Sequence, residues 1–494
     1  MSKVHLARSG FITKAALPSI TRQRGTTTGA SNLMLFGAGK TTVANNTTFI
    51  DSSTNAFTVT RNGDTVHSGY NPFGTVSDGS AYFDGDLDYL SIPANAGFNF
   101  GTGNFTVESF VYIAGNSPLD GLSRRYAVIF GVNSGGLQSF QLLIAGNSST
   151  TGTGIELYNG SVVVGVSGTV SQSTWHHIAV SRSGSSFYFF LNGVQLGTTQ
   201  TSSISFGSST QTATVGKDPA TSAFDFDFNG YISNLRVIKG TAVYTANFTP
   251  PTSALTAITN TQLLLLTDNY SIVNSTPTPL PITIAGNTTI STAQYPTGMT
   301  RSIYFDGTGD WLTLASNAIF DQTVDFTVEA FVRFAAVPTG SFGNYGLIFG
   351  QESSNMIKLG TASTGSGVFA FGVTKSGVGS LIVGTTSVSL NTWYHVALVK
   401  SGTGTNNIKL YVNGTQEGQA TGGTAGSSTT VTYIGREGWV GDPAPLNGYI
   451  SNLKYVKNTA VYTSNFTAPS APLSVSISVP NYVTNAIYGV NQLA

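Results

Sequence analysis

The sequence contains no cysteine and few charged residues, and both absences narrow what the protein can be. Without cysteine, disulfide bonds and thiolate metal sites are excluded. Charged residues make up only 9% of the chain, against about 25% in ordinary globular domains. Because 40% of the residues are hydrophobic, the chain can still bury sizeable cores. This composition excludes a disordered chain and favours a durable, nearly neutral extracellular protein over a cytosolic enzyme.

Long apolar segments are absent as well. No run of 18 apolar residues occurs, so we predict no insertion into a membrane. The N-terminus lacks the apolar stretch of a secretory signal peptide, so we expect synthesis in a cytoplasm without export. The 22 basic residues balance the 22 acidic ones, which argues against a nucleic-acid binder.

The basic residues are unevenly spread, because six of them precede the first acidic residue, Asp51. These six are Lys3, Arg8, Lys14, Arg22, Arg24 and Lys40. Residues 1–30 are therefore interpreted as a basic N-terminal arm. The arm is either a solvated tail or an anchor that orders on an acidic partner surface.

The chain contains one large internal repeat. Trp175 returns as Trp393, 218 residues later, and a whole segment, Asn-Gly-Tyr-Ile-Ser-Asn-Leu, returns at the same distance. The recurring segments, in pairs, are 82–85 and 304–307, 105–108 and 326–329, 229–235 and 447–453, and 241–245 and 459–463. A spacing this long indicates a duplicated domain, not a short solenoid repeat. We predict units at 31–255 and 256–473, followed by a C-terminal extension at 474–494 that could add a strand or an oligomer contact.

Short alternating segments rich in β-forming residues fill both units. The runs 187–191 and 408–412 are each followed by an Asn-Gly pair, Asn192-Gly193 and Asn413-Gly414. Such a pair tolerates positive φ at both central positions and favours a type I′ hairpin. No segment shows a capped helical pattern of 12 or more residues. The apolar runs at 33–36 and 263–266 are predicted to open the two units as strands, and the fold class is all-β.

The order of these motifs resembles a known family. Tyr-Phe-Asp-Gly-x-x-Asp is followed by Phe-Thr-Val-Glu, by Trp-x-His, by Asn-Gly and by a closing Gly-Tyr-Ile-Ser-Asn-Leu, once in each unit. This order is similar to the laminin-G-like branch of the concanavalin A-like lectin/glucanase superfamily. The resemblance implies two tandem jelly-roll β-sandwiches of curved antiparallel sheets, whose loop face often carries calcium or sugar in relatives. The phrase from Lys239 to Thr249 further resembles domains in structural proteins of marine tailed bacteriophages.

Because glucanases share this fold, a pair of catalytic carboxylates is one possibility that the sequence must be compared with. Glycoside hydrolysis generally needs two carboxylates flanking the scissile bond. The chain has six glutamates, and none belongs to the alternating Glu-x-Asp-x-Glu pattern of the glucanases. Glu108 and Glu329 occupy equivalent strands that carry no second acidic residue, so we expect an inter-strand hydrogen bond there and no enzymatic activity. The adjacent His176 and His177 point to opposite faces of a strand and are expected to be core or edge residues, not metal ligands.

Calcium is the cofactor that the sequence suggests. Aspartates cluster in both Phe-Asp-Gly loops, and calcium takes six to eight oxygen ligands, carboxylates among them. The candidate metal residues are Asp84, Asp86, Asp88, Asp306 and Asp310. The closing strand often bears an acidic residue in laminin-G-like relatives, whereas this chain has Asn234 and Asn452, which weakens the expected site. Local hydrogen bonds that cap turns are the alternative role for these aspartates.

Two loops carry aromatic residues that are candidates for contact with a ligand or with another protein. An aromatic ring stacks on the apolar face of a sugar, and large aromatic side chains are also common interface anchors. The candidate ligand or interface residues are Phe224, Asp225, Asp227, Trp439 and Asp442.

Together these features predict a non-enzymatic phage protein on the virion surface, in a capsid decoration, head fibre or tail fibre. Its expected partners are other virion proteins, through the basic arm, and a host surface glycan. Because virion surfaces are symmetric, we expect a symmetric homo-oligomer. A carbohydrate-binding adhesin of cellular origin is the alternative, and a polysaccharide-degrading enzyme is a third reading that lacks an acid pair.

Overall fold

The chain folds into two all-β sandwiches in the computed structural model. The structure describes residues 47–73, 79–119, 123–132, 139–161, 163–207, 210–218, 226–267, 279–338, 346–351, 356–363, 369–422, 426, 430–437 and 445–473, and the backbone of 33–37 and 272–274. The predicted arm at 1–30 and the extension at 474–494 lie outside these residues. Within them, the helical elements are short 3-10 turns at Ala96–Phe98 and Ala318–Phe320, and no helix is long and apolar enough to cross a membrane.

The first sandwich packs a main sheet against a seven-stranded sheet. The strands of its main sheet are β3 (Val66–Ser68), β4 (Ser80–Asp84), β7 (Phe105–Ile113), β12 (Trp175–Ser183), β13 (Ser186–Leu191), β14 (Val194–Gln195), β15 (Gln200–Thr201), β18 (Asn229–Lys239) and β19 (Thr261–Leu265). The seven-stranded sheet runs β11 (Val163–Ser167), β10 (Thr151–Tyr158), β9 (Phe140–Gly146), β8 (Tyr126–Val132), β17 (Ala213–Val215), β5 (Tyr89–Ile92), β2 (Thr60–Asn62). A separate pair joins β6 (Asn99–Gly101) to β16 (Phe206–Gly207).

The second sandwich repeats this plan. Its main sheet contains β22 (Thr289–Ser291), β23 (Ser302–Asp306), β25 (Phe326–Phe334), β30 (Tyr394–Lys400), β31 (Ile408–Val412), β32 (Thr415–Ala420) and β34 (Asn447–Lys457), joined by β1 (Leu33–Gly37) and β20 (Ile272–Asn274). Its seven-stranded sheet runs β21 (Thr283–Ala285), β24 (Trp311–Leu314), β33 (Thr432–Ile434), β26 (Leu347–Gln351), β27 (Ile357–Ser363), β28 (Phe369–Lys375), β29 (Gly379–Ser387). The prediction of two tandem jelly-roll sandwiches is therefore confirmed.

Each sandwich has its own apolar core between its two sheets. Phe83, Val107, Ile129 and Leu142 belong to the first core and are completely buried. The second core has the same layout, with Phe305 in the place of Phe83. Because each core draws on both layers, the alternation of apolar residues along the strands fixes which face of each sheet turns inward.

The two Asn-Gly hairpins form as predicted. Asn192 and Gly193 have φ of 52° and 76°, and Asn413 and Gly414 have φ of 48° and 82°. Positive φ at both positions is the type I′ geometry that matches the twist of the flanking strands. The glycine also allows a close approach, since a Cβ on Gly193 would lie 2.0 Å from the carbonyl oxygen of Phe248.

The duplicated Thr-Ala-Val-Tyr-Thr-x-Asn-Phe segment forms a strap across the outer face of each main sheet. In the first sandwich the backbone amide of Val243 donates to Thr106, and the amide of Phe248 donates to the Gly193 carbonyl (2.8 and 2.9 Å). The rings of Tyr244 and Phe248 stack with centroids 3.7 Å apart. The strap covers the outer face of β7 at Thr106 and Glu108, and Phe73 and Tyr70 cover Phe110 and Tyr112 further along, so β7 is buried along nearly its whole length.

The two opening strands are exchanged between the sandwiches. The run at 263–266, which the sequence analysis assigns to the start of the second unit, forms β19, and β19 pairs with β18 of the first unit, with Leu265 opposite Leu235. Its Leu263 and Leu265 are part of the first core. The first unit's own opening strand, β1, pairs with β34 of the second unit, with Leu35 opposite Leu453. The first sandwich thus extends beyond residue 255 in the chain.

A bend in each closing strand makes room for the exchanged strand. Asn234 and Asn452 both have φ of 53°, in the left-handed region that asparagine tolerates better than most residues. The side-chain carbonyl of Asn234 accepts a hydrogen bond from the amide of Leu255 (2.7 Å), and that of Asn452 accepts one from Leu473 (3.1 Å). These asparagines therefore shape the backbone of the closing strand. From the sequence they were expected only to weaken a metal site, because they replace acidic residues.

Stability should fall in mild acid because of His67. This imidazole is buried against Phe49, and burial lowers its pKa to about 4, although a hydrogen bond with the Thr48 carbonyl opposes this. Because the unfolded pKa is about 6.5, the folded state disfavours the proton, and stability present above pH 6.5 is lost as the pH falls towards 4. The contribution of His67 to the free energy of unfolding should fall by about 2 kcal/mol between pH 8 and pH 5. Urea unfolding at the two pH values should therefore show that the stability difference between the wild type and His67→Gln changes by about this amount in favour of the variant at pH 5, and a difference independent of pH would contradict the assignment.

Candidate ligand and metal site

The first Phe-Asp-Gly segment forms an acidic loop at the end of β4. Asp88 is buried there, and its carboxylate accepts hydrogen bonds from the backbone amides of Asp64 (2.6 Å) and Asp84 (3.1 Å). Gly63 allows this close approach, because a Cβ at that position would lie 2.3 Å from the Asp88 Oδ1. The carboxylates of Asp64 and Asp84 are exposed, and one oxygen from each of the three aspartates lies within 4.8 Å of the other two.

The environment of this loop disfavours the ionised forms of Asp88 and Asp84. Burial raises the pKa of Asp88 to about 7, and the neighbouring Asp64 carboxyl adds to this effect. Burial also raises the pKa of Asp84, with contributions from the charges of Asp64, Asp86 and Asp227. A bound cation would offset both the burial and the repulsion, since an opposite charge favours the ionised form.

Asp227 lies just before β18 and holds the acidic loop against the start of that strand. This residue is 1% exposed, its carboxylate accepts from the amide of Leu87 (2.9 Å), and it pairs with Lys217 (2.7 Å). Leu87 has φ of 60° and its side chain is 56% exposed at the tip of the loop. Asp227 thus holds the loop from its buried side. Asp84, Asp86 and Leu87 form the exposed surface of the loop.

The corresponding loop of the second sandwich keeps the buried aspartate and loses acidic neighbours. Asp310 accepts from the amides of Asn287 (2.7 Å) and Asp306 (2.9 Å), in the same way as Asp88 does in the first sandwich. Three acidic positions of the first loop are replaced in the second: Asp64 by Asn287, Asp86 by Thr308 and Asp227 by Pro445. Two carboxylates remain, so the donor set of the second loop fits a cation less well than that of the first.

Asp64 is the residue that the sequence analysis missed. It lies about twenty residues before the Phe-Asp-Gly segment, on a turn that ordinary spacing rules do not connect with that segment. A comparison of the two repeats would have revealed it. Asp64 and Asn287 follow equivalent glycines, Gly63 and Gly286, and a difference in charge at matched positions marks a residue that the fold does not require.

An open polar cleft of about 480 Å³ lies at the start of β10. Most of the side chains that line it carry a hydroxyl or an amide. The lining residues are Thr150, Thr151, Gly152, Thr153, Gly168, Thr169, Val170, Ser171 and Gln172. Such a surface offers hydrogen-bond donors and acceptors without charge, which suits a polyhydroxylated ligand.

Hydrogen bonds connect this cleft with Asn229, whose side chain lies beside the acidic loop. The side-chain oxygen of Asn116 accepts from the Thr151 amide (3.0 Å) and from the Gln172 side chain (2.6 Å). The carbonyl of Asn116 in turn accepts from the side chain of Asn229 (3.4 Å), which lies against Gly85 of the loop. The loop and the cleft therefore share one rim of the first sandwich.

Glu108 lies at the centre of a buried polar network. Its carboxylate contacts the His177 imidazole (3.1 Å) and accepts from the Tyr244 hydroxyl (2.9 Å) and the Arg236 guanidinium (2.6 and 2.9 Å). Burial alone would raise the pKa of Glu108, but the hydrogen bonds and charges of His177 and Arg236 hold this pKa below its usual value. The predicted inter-strand hydrogen bond is confirmed, and the carboxylate is completely buried.

The second sandwich repeats the network with a lysine in the place of the arginine. Glu329 contacts His395 (3.1 Å) and accepts from Tyr462 (2.7 Å), and Lys454 lies 3.7 Å from its other oxygen. His176, the neighbour of His177, instead contacts the Ser171 carbonyl (3.1 Å). The two adjacent histidines therefore have separate partners, as the strand geometry predicts.

A row of aromatic side chains crosses the outer face of each main sheet. In the first sandwich Tyr70 covers the row, with its ring 5.0 Å from Tyr231 and 5.6 Å from Trp175, both of which are buried. In the second sandwich the equivalent row is half-buried. It consists of Tyr304, Tyr449, Arg333 and Trp393, with the Arg333 guanidinium 5.2 Å from the Tyr449 ring. The second sandwich thus presents an aromatic surface that the first keeps covered.

Four of the five predicted ligand or interface residues lie outside the described residues: Phe224, Asp225, Trp439 and Asp442. Their neighbour Phe226 packs against Tyr126, with centroids 5.1 Å apart, on the outer face of the seven-stranded sheet.

The sequence matches one family model in both sandwiches. The model describes the concanavalin A-like lectin/glucanases superfamily, in its laminin-G type, and it matches residues 84–242 and 306–460, together more than half of the chain. Curated proteins contain no match to this sequence.

The solved structures to which the chain is similar are distant in sequence. Domains LG4-5 of the mouse laminin alpha1 chain are 13% identical, with 80% of this chain and 95% of that chain covered and a TM-score of 0.35. Domain 4 of an extracellular arabinanase from Geobacillus stearothermophilus, solved with arabinotriose, is 17% identical, with 36% and 82% covered and a TM-score of 0.28. The enzymatically active domain of tailspike protein 2 from bacteriophage CBA120 is 16% identical, with 42% and 29% covered and a TM-score of 0.28.

The family match coincides with the two sandwiches, the duplicated acidic loops and the closing strands described above. The chain therefore belongs to the concanavalin A-like lectin/glucanases superfamily, as a tandem pair of laminin-G-type sandwiches.

Proposed function

We propose that this protein is a non-enzymatic adhesion protein on the surface of a phage virion, in a capsid decoration, head fibre or tail fibre. The observation that carries the adhesive role is the rim of the first sandwich, where an uncharged hydroxyl-lined cleft adjoins the acidic loop. Polar groups of this kind, held by rigid strands, suit the hydroxyls of a host surface glycan.

The virion location rests on sequence features. The nearly neutral, cysteine-free composition suits a durable surface protein, and the segment that resembles phage structural proteins forms the strap of both sandwiches. The basic residues before Asp51 would anchor the chain to other virion proteins, and a symmetric homo-oligomer would match the symmetry of the particle.

The absence of an enzymatic role is proposed from the state of the carboxylates. Glu108 and Glu329, which lie in equivalent strands, are fully buried and bonded to cationic or hydroxyl partners. A glycosidase needs two carboxyl groups that both reach the substrate. Neither glutamate can do so without unfolding the sheet around it.

Cryo-electron microscopy of purified particles, with this chain located in the map, tests the location. Density on the capsid lattice would assign decoration, and density on the tail would assign host recognition. Absence from the particles would refute the virion role and leave a carbohydrate-binding adhesin of cellular origin.

Glycan binding is tested on the whole protein with an array of host surface glycans. Gln172→Ala together with Thr169→Val should reduce binding at least tenfold, because both side chains line the cleft. Thr415→Val, on an exposed strand of the second sandwich, is the matched control and should bind as the wild type does. Equal binding by all three proteins would exclude the cleft as the glycan site.

Calcium is proposed as a ligand of the first sandwich, held by Asp64, Asp84 and Asp88. When bound, it would supply positive charge that neutralises the three carboxylates and fixes the loop beside the cleft. The donor chemistry fits, because three carboxylates converge there and calcium prefers oxygen ligands.

Asp64→Asn should abolish calcium binding without unfolding the protein. The backbone amide of Asp64, not its side chain, bonds to Asp88, so the substitution leaves the turn intact. Isothermal titration should find one calcium per wild-type chain, and a saturating excess of about 100 times Kd should stabilise the fold by about 2.7 kcal/mol. Asn287→Asp is the complementary variant, and it should create a second site. If millimolar calcium leaves the melting temperature of the wild-type protein unchanged, the assignment is overturned.

A further inference from the structure

The aromatic row of the first sandwich is filled by a tyrosine of the same sandwich. The ring of Tyr70 meets Tyr112 edge-on, with centroids 5.1 Å apart and an interplanar angle of 88°, and it meets Tyr231 at 5.0 Å and 69°. It also lies 5.6 Å from the ring of Trp175. Aromatic rings attract one another at these distances, and edge-to-face contact is a preferred arrangement. The row is therefore a surface that accepts an aromatic side chain, and the first sandwich supplies that side chain itself.

The second sandwich keeps the backbone of this cover but changes its side chain. The amide of Tyr70 donates to a serine hydroxyl (3.0 Å) and its carbonyl accepts from another (2.6 Å). Gln294 makes the same two hydrogen bonds (3.1 and 2.6 Å). The serines are Ser68 and Ser80 in the first sandwich and Ser291 and Ser302 in the second. Gln294 thus stands in the place of Tyr70, and the covering ring is replaced by an amide.

The open row of the second sandwich keeps the geometry of the covered row. The rings of Trp393 and Tyr449 lie 6.3 Å apart at 54°, against 6.2 Å and 51° for Trp175 and Tyr231. Trp175 and Tyr231 are 1% exposed, whereas Trp393 and Tyr449 are half-buried. Because the rings hold their positions without an occupant, binding requires little rearrangement, which favours affinity.

One wall of the open row has changed from an aromatic ring to a cation. Arg333 takes the place of Tyr112, since each lies opposite the tyrosine of the closing strand, Tyr449 or Tyr231. The Arg333 guanidinium lies 5.2 Å from the Tyr449 ring, and within the described part of the chain it makes no hydrogen bond or ion pair. A guanidinium can bind an aromatic face and still donate its N–H groups to a carboxylate. The open row therefore favours an aromatic side chain that has a carboxylate beside it.

The tilt of the rings favours an aromatic side chain over a sugar. The rings of Tyr304 and Trp393 are turned by 38° and 54° from the plane of Tyr449. A chain of sugars stacks best on aromatic faces that lie in one plane. Rings tilted against one another instead allow edge-to-face contact with a further ring, as Tyr70 makes in the first sandwich.

We propose that the open row, formed by Tyr304, Tyr449, Arg333 and Trp393, is a docking site for a partner protein that inserts an aromatic side chain flanked by a carboxylate. The inserted ring takes the position that Tyr70 holds in the first sandwich, and the guanidinium binds the carboxylate. Tryptophan, tyrosine and arginine are the residues that most often dominate the binding energy of protein interfaces. The site belongs to the second sandwich, so it is independent of the glycan and calcium sites proposed for the first.

Short peptides that copy the covering segment test this site on the whole protein. The first probe is Ser-Gly-Tyr-Asn-Pro, the sequence of residues 68–72, and the second has aspartate in the place of the asparagine. Saturation-transfer NMR detects the weak binding expected of five residues. We expect transfer to the tyrosine ring of both peptides and at least threefold tighter binding of the aspartate peptide. A peptide with alanine in the place of the tyrosine should show no transfer.

Gln294→Tyr should weaken binding of the aspartate peptide at least tenfold, because the new ring covers the row from within. Arg333→Gln should bind the first two peptides equally, since the cation that distinguishes them is gone. Val378→Ser is the matched control, because Val378 is 63% exposed on a turn of the other sheet, and it should bind as the wild type does. Circular dichroism checks that each variant is folded, and Trp393→Ala replaces Gln294→Tyr if the latter is not.

Three results would overturn the proposal. The first is a wild-type protein that binds neither tyrosine peptide. The second is unchanged peptide binding by the variant that closes or removes the row, which would place the peptide elsewhere. The third is an oligosaccharide that binds the wild type and not this variant while the peptides do not bind, which would make the row a sugar-binding surface.

Discussion

Replacing Glu108 by glutamine is expected to lower the free energy of unfolding by about 3–5 kcal/mol. The substitution preserves shape but removes the carboxylate charge that accepts two hydrogen bonds from the Arg236 guanidinium. The Tyr244 hydroxyl would also lose its acceptor, and with it the strap would lose one of its attachments to the sheet. Urea unfolding followed by circular dichroism measures the change.

Glu156→Gln is the control, since this glutamate is only half-buried, and its effect should stay below about 1 kcal/mol. Equal losses for the two variants would show that the buried network does not stabilise the fold.

Glu329→Gln in the second sandwich should cost less than Glu108→Gln. Burial lowers the pKa of Lys454, against the opposing charge of Glu329, so the lysine can release its proton once that charge is gone. In this variant the pKa of Lys454 is lower in the folded state than in the unfolded state, and the neutral amine needs no counter-charge. The loss in the free energy of unfolding should therefore shrink as the pH rises. The loss in Glu108→Gln should not change with pH in this way, and the same unfolding series at pH 7 and pH 9.5 separates the two.

Leu265→Ala is expected to destabilise the first sandwich by about 2–5 kcal/mol, although the sequence repeat assigns this residue to the second unit. Leu265 is completely buried in the first core, opposite Leu235. Hydrogen exchange followed by mass spectrometry should therefore show the largest acceleration in peptides of β7, β12 and β18.

Leu314→Ala is the counterpart in the second core, where Leu314 is 1% exposed. It should accelerate exchange chiefly in β25, β30 and β34. If Leu265→Ala instead affected the second sandwich most, the exchange of opening strands would be wrong.

Much of the candidate site could be predicted from single segments. The Phe-Asp-Gly loops, the hairpin asparagines and the isolation of Glu108 are all visible locally, because each depends on neighbours within a few residues. The cleft was not predicted, since it joins the ends of two separate segments, 150–153 and 168–172, that only the sheet brings together. Asp64 was missed for the same reason, because its turn reaches Asp88 across two strands.

By itself, the sequence determined the duplication, the all-β class, the strand positions and the turns, since periodicity and local backbone preference act over a few residues. The tertiary structure alone decided which sandwich each opening strand completes. An apolar run such as 33–36 or 263–266 carries the preference to be a buried strand but not the identity of its partner, because backbone hydrogen bonds are the same on every edge. In the fold, each opening strand pairs with the edge of a closing strand beside the bend at Asn234 or Asn452, and this pairing determines which sandwich it completes.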